Sequence, residues 1–199
     1  VKEETLCPHQ DYVYFAFPTK EEQAQLDAFS QQKNALLQQL TSDPLFCQHL
    51  QSCQALSGQI SDDELLNEPK YLSATLIFLR SKGIAFPNRF QDLLGAKKLP
   101  TFTMDWLETL LQGLLFQVPH WYNLPEEYEK QLLHELKAAS LIDRKQVKLV
   151  RNKKQDLLLN QSLGKLNAVR EIFKAEYQAL GSQLRQLVLT DYIRQDFEV

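Results

Sequence analysis

Residues 70–83 read Lys70-Tyr71-Leu72-Ser73-Ala74-Thr75-Leu76-Ile77-Phe78-Leu79-Arg80-Ser81-Lys82-Gly83. Proline precedes the run and glycine closes it, and these two residues punctuate helices. Leu72, Leu76, Ile77, Phe78 and Leu79 leave little polar face. A helix that is apolar nearly all round is stable in water only when other elements surround it. The stretch predicts a central helix over Lys70 to Lys82.

Composition extends that reading to the whole chain. Its 199 residues hold 36 Leu against 6 Ile and 8 Val, with 22 Gln besides. Leucine keeps its rotamer freedom in a helix, whereas β-branched residues lose theirs. The expected fold is an all-α, multi-helix bundle of about seven to nine helices, with a short strand-like N-terminal arm and a long C-terminal helical hairpin.

Local signals place the other helices. Thr19 with Glu22, and Ser61 with Glu64, have capping-box spacing. Asp43-Pro44 reads as an N-cap followed by proline at the first helical position. Gly58 reads as a helix stop. Between Pro87 and Pro125, prolines and glycine separate short helices near Asn88–Leu94 and Met104–Phe116. Pro125 opens a helix with Tyr128, Leu132, Leu133 and Leu136 on one face.

The two ends differ from the middle. Asp11 to Phe17 is aromatic and β-prone, and Pro18 closes it. It has no convincing partner strand, so it is expected to pack on the helices. From Asp143 to about Tyr192 there is no proline. That run reads as one bent helix or a hairpin broken at Gly164. Leu166, Val169, Phe173, Tyr177, Leu180, Leu184 and Leu187 form a coiled-coil-like stripe, expected to pack on its own domain. The expected organisation is an arm over 1–18 and a single helical domain over 19–199, with a possible subdivision near 141–143.

Charge and cysteine usage bound the function. A net charge of −3 and a pI of about 5.8 argue against a dedicated nucleic-acid binder. Cys7, Cys47 and Cys53 form no C-x-x-C pair, which suits a reducing, cytoplasmic setting. No apolar run approaches the roughly 18 residues of a membrane span.

Three constellations carry candidate chemistry. Cys7, His9, His49 and Cys53 are a possible zinc set, because His49 and Cys53 are spaced to share one helix face. Buried cysteines acting as small hydrophobes are the preferred reading. Arg144, Lys148 and Arg151 would form a basic face on a helix over 144–154, able to meet phosphates or an acidic partner. A solvated face is preferred there, since no stacking aromatics interleave it. Tyr12, Tyr14, Phe15 and Phe17 of the arm, with Trp121 and Tyr122 of the proline-rich turn, are the candidate partner-binding residues, though for the last two a core plug beneath the tight turn is slightly preferred. Tyr and Trp dominate interface hot spots.

Nucleotide-loop, hydrolase-elbow and metalloprotease motifs are missing from the sequence. The expectation is a non-enzymatic adaptor, chaperone-like or scaffold subunit that binds a partner protein, without cofactor or small-molecule substrate. A nucleic-acid-binding factor using the basic face, and a metal- or thiol-dependent enzyme, are the alternatives.

Overall fold

The computed structural model describes residues 13–150, 153–160 and 162–189. The fold is all-α with several helices and one very small sheet. The helices run in the order α1 (Lys20–Ser42), α2 (Pro44–Gln51), α3 (Gln54–Ser57), α4 (Asp62–Asn67), α5 (Pro69–Ser81), α6 (Arg89–Leu93), α7 (Met104–Gln112), α8 (Pro119–Tyr122) and α9 (Glu126–Ala138). Strands β1 (Ile142–Asp143) and β2 (Gln146–Val147) follow, then α10 (Lys153–Asn160) and α11 (Leu163–Leu180). No helix among the described residues is long and apolar enough to cross a membrane. The chain divides into two compact units: residues 27–156, and residues 1–26 with 157–199.

The 27–156 unit is built on α5. Eight of its residues between Tyr71 and Leu79 are buried, seven apolar or aromatic ones and Thr75. α5 packs against α7 and α2. Phe78 meets Phe46 and Phe102 edge-to-face at 5.4 and 5.5 Å, the geometry that ring quadrupoles favour. The buried Thr75 hydroxyl lies 2.9 Å from both the Tyr71 carbonyl and the Tyr122 hydroxyl, so its polarity is satisfied.

Helix α7 continues as a π turn over Gly113–Gln117. Pro119 has no N–H with which to extend an α ladder, and the wider turn lets the Val118 N–H reach the Gly113 carbonyl at 2.9 Å. Gly113 is required here, since a β-carbon would stand 2.7 Å from the Tyr71 ring.

The sequence reads a helix from 143 onward, and the structure corrects this. α9 ends with Ser140 in the left-handed region, φ +57°, and with Leu141 N–H donating to the Leu136 carbonyl at 2.8 Å. That bond and that φ are the Schellman ending, here made without glycine. The chain then forms an antiparallel hairpin pairing Ile142 with Val147 and Asp143 with Gln146. Its turn puts Arg144 at φ +57°. Bonds from distant residues hold it. Gln112 accepts from Val147 N–H at 2.8 Å and donates to the Lys145 carbonyl at 3.1 Å. The Glu108 carboxylate accepts from Leu149 N–H at 2.6 Å and Val150 N–H at 3.1 Å. Tertiary partners thereby override helix propensity.

The other unit is described for 13–26, 157–160 and 162–189. Gly164 is not the break: it lies inside the first turn of α11, which begins at Leu163 and which Ser162 caps by accepting from Gly164 N–H at 3.1 Å. Residues 13–18 form no regular element. The Phe17 carbonyl lies so close to Gly164 that a β-carbon there would stand 2.1 Å from it.

The Thr19–Glu22 capping box is present, with Thr19 N–H to Glu22 at 2.7 Å and Glu22 N–H to Thr19 at 3.3 Å. The Glu22 carboxylate also accepts from the Ser162 hydroxyl at 2.8 Å and Leu163 N–H at 2.6 Å. It thus ties the start of α1 to the start of α11. The Thr19 N–H leads in holding its pKa below the usual value, partial desolvation opposes, and the Leu163 and Ser162 donors add to the lowering. A depressed folded-state pKa means that this tie is complete above the ordinary carboxylate range and is lost as pH falls through the depressed value. In an NMR titration, the Thr19 and Leu163 amide signals should move together with a midpoint below 4.5. Glu22→Gln should remove that transition; a midpoint at or above the ordinary value would contradict the tie.

Candidate functional site

Apolar residues are distributed very unevenly between the two units. In the 27–156 unit most are buried, including Phe46, Phe90, Leu107 and Leu136, while Leu45, Leu66, Met104 and Val150 are exposed. Among the described residues of the other unit, Ala168 is the single buried hydrophobic side chain. There Phe15 and Phe17 are 75% and 77% exposed, Leu166 is 65%, and Leu187 and Leu189 exceed 79%. Monomeric domains rarely leave so much apolar area in water.

Helix α11 gives this surface its order. Leu166, Phe173, Tyr177 and Leu180 recur at steps of seven, four and three, and all four are exposed. At about 100° per residue they share one face, with Val169 at its edge. Gly164 and Ala168 are buried, and on the same helical count they fall on another face. The Phe173 and Tyr177 rings stack, with centroids 5.9 Å apart and 18° between planes. They present one flat aromatic block. Lys165, Arg170 and Lys174 flank the face, and Lys174 pairs with Glu171 at 2.8 Å.

The arm supplies Tyr14, Phe15 and Phe17 as exposed aromatics, with Val13 beside them. The expectation that the arm packs on helices holds for its backbone at Gly164 and not for these rings. Tyr12 lies outside the described residues. Residues 184–189 add Leu187, Val188 and Leu189, all exposed and in no regular element. The stripe expected to pack on its own domain is instead largely uncovered on its Leu166–Leu180 segment.

Trp121 and Tyr122 are not on this surface. They are 1% and 3% exposed and plug the core of the 27–156 unit. The Pro119–Tyr122 turn is a short helix whose Trp121 and Tyr122 rings are buried, while Pro119 and His120 are exposed. Trp121 Nε1 donates to Glu64 at 3.1 Å, and His120 Nε2 lies 2.6 Å from the same oxygen. The bonds from His120 and then Trp121 hold the Glu64 carboxyl below its usual pKa. The Ser61–Glu64 box is accordingly half made. Ser61 caps Glu64 N–H at 3.3 Å, while the Glu64 side chain serves the Trp121 turn.

The Cys/His arrangement also differs from its sequence reading. Cys7 and His9 lie outside the described residues. Helix α2 ends at Gln51, and Cys53 is the N-cap of α3 with extended backbone, φ −65° and ψ 155°. His49 and Cys53 therefore do not share a helix face. The His49 ring sits against Tyr128, centroids 4.9 Å apart. Burial pushes the Cys53 thiol up to about 11, which keeps it neutral at ordinary pH.

The basic residues are likewise rearranged. Arg144 occupies the hairpin turn and is exposed; Lys148 follows β2 and is half-buried. No helical face joins them, because the chain is a hairpin there and α10 begins only at Lys153. Arg151 lies outside the described residues.

Comparison of the chain with protein-family models, with curated proteins and with solved structures returns no match.

Proposed function

We propose that the chain is a non-catalytic interaction subunit, an adaptor or scaffold of the cytoplasm, that engages a partner protein through the apolar surface of the unit containing α11. One observation carries the reading: among the described residues, most large apolar side chains of that unit are exposed, whereas most of those of the 27–156 unit are buried. Covering them is worth roughly 25 cal/mol per Å² of apolar area. A helix with anchors at i, i+7, i+11 and i+14 suits an apolar groove on a partner. The stacked Phe173 and Tyr177 fit the aromatic composition of interface hot spots.

The test is capture of partners from the native host by the tagged protein and by its Leu166→Glu/Phe173→Glu variant. Both sites are solvent-facing, so the variant should keep the helical circular dichroism of the parent. The parent should retain a stoichiometric protein, and the variant should lose it by tenfold or more in recovered amount, since a buried unpaired charge is strongly unfavourable. Equal recovery by both would defeat the proposal.

A further inference from the structure

The hairpin that replaces the expected helix covers a cleft of about 350 Å³ in the 27–156 unit. Lys70, Thr109, Gln112, Gln117, Gln146 and Lys148 line it, together with Glu108 and the Tyr71 ring. The volume lies within the roughly 300–1,000 Å³ range of small-ligand sites. The π turn contributes Gln117 to its wall, and such turns are frequent at functional sites.

The lining separates into groups already engaged and groups that are free. Both ends of the Gln112 amide are used on Val147 and Lys145, and the Glu108 carboxylate is used on Leu149 and Val150. The Thr109 hydroxyl donates to the Asp105 carbonyl at 2.9 Å. The Lys70 ammonium stands over the Tyr71 ring at 4.7 Å, with Glu68 at 3.6 Å in an exposed pair. Among the described residues no bond engages the side chains of Gln117, Gln146 or Lys148. Through its bond to the Lys145 carbonyl, Gln112 also holds the Arg144-Lys145 turn beside the cleft.

What remains to meet a ligand is the Lys148 ammonium and two amides, joined by the Lys70 ammonium, whose exposed 3.6 Å pair with Glu68 is weak enough for an anion to displace. Lysine meets phosphate as a point charge. A phosphate monoester carries about −1.5 to −2 charge on three acceptor oxygens. That matches two cations and two N–H donors better than the single charge of a carboxylate. We propose that this cleft binds a phosphate-bearing ligand, with Lys70 and Lys148 on the phosphate oxygens and the Gln117 and Gln146 amides donating beside them. The ligand is a small compound with a terminal phosphate or a nucleic-acid strand; a phosphodiester carries one charge, so a strand would offer adjacent phosphates to the two lysines.

The experiment is an NMR titration of the full chain with inorganic pyrophosphate and, separately, with a single-stranded oligodeoxynucleotide. The reporters are the side-chain amides of Gln117 and Gln146 and the backbone amides of 145–148. At least one probe should shift them saturably, and added salt should weaken the effect. Lys148→Gln should weaken binding about tenfold, Lys70→Gln should add to that, and Lys148→Arg should restore most of it. Pyrophosphate alone would indicate a small phosphorylated ligand, and the oligonucleotide alone a phosphodiester strand. The proposal fails if neither probe gives a saturable shift. It fails equally if the shifts survive Lys148→Gln and Lys70→Gln while the rest of the spectrum shows the fold intact.

Discussion

Phe78→Ala should lower the unfolding free energy of the 27–156 unit by about 3–5 kcal/mol, the range for aromatic-to-alanine truncation in a packed core. Phe78 is fully buried, at 0% exposure, and its ring touches Phe46 and Phe102. Both edge-to-face contacts are made with the Phe78 ring itself and vanish with it, and a cavity term adds to the lost transfer energy. Phe173→Ala is the control. That ring is 46% exposed, and its loss should cost under about 1 kcal/mol. Urea unfolding followed by tryptophan fluorescence suits the comparison, because Trp121 and Trp106 both lie in the unit that Phe78 stabilises. The midpoint should fall sharply for Phe78→Ala with little change in slope. Equal costs for the two phenylalanines would show that the core has been assigned to the wrong residues.

The same contrast shows where sequence reading succeeds. Helix α5 was legible because Leu72 to Leu79 is apolar on every side, and such a run has few other places to go. The Asp43-Pro44 start, the Thr19–Glu22 box and the Gly58 stop were legible because each is decided within four residues. The hairpin was not. Its strands are two residues long, its turn lacks the Asn-Gly or Gly signature, and the bonds that fix it come from Glu108 and Gln112. Residues 144–150 carry a helix-compatible pattern that tertiary hydrogen bonds override. Glu64 was misread for a related reason: three-residue spacing identifies a capping box, but not whether a distant indole and imidazole compete for its carboxylate.

The candidate surface was half legible. The arm's aromatics and the α11 stripe are visible as patterns, but periodicity does not say whether a stripe is covered. Trp121 and Tyr122 show the converse, and their burial fits the core reading over the interface one. Aromatic composition in a proline-rich turn resembles an interface, yet these rings fill the core beside Thr75 and Glu64. Composition marks residues that want burial; only the packing of the whole unit shows which have achieved it. Phe173 and Tyr177 have not, and that difference, more than their identity, supports the interaction reading.

Gly113→Ala should destabilise the 27–156 unit by about 1–3 kcal/mol, the usual cost of overpacking. Helix propensity alone gives the opposite sign, since alanine is favoured over glycine inside a helix by up to about 1 kcal/mol. Geometry decides between them. A β-carbon at Gly113 would lie 2.7 Å from Tyr71 Cδ1, 2.9 Å from Cγ and 3.1 Å from Cβ. A χ1 change would swing Cγ and Cδ1 but leave Cβ where it is, and the ring is buried among its neighbours. Tyr71 is itself buried on α5, and moving it means moving the central helix or opening the π turn closed by Val118 N–H on the Gly113 carbonyl. A double-mutant cycle with Tyr71→Ala isolates the effect: removing the ring should relieve most of the Gly113→Ala penalty, leaving a coupling within the 0.5–3 kcal/mol range of residues in contact. If Gly113→Ala stabilised the protein as propensity demands, the close approach of α7 to α5 would be wrong. The wall of the hairpin cleft, which rests on that approach, would be wrong with it.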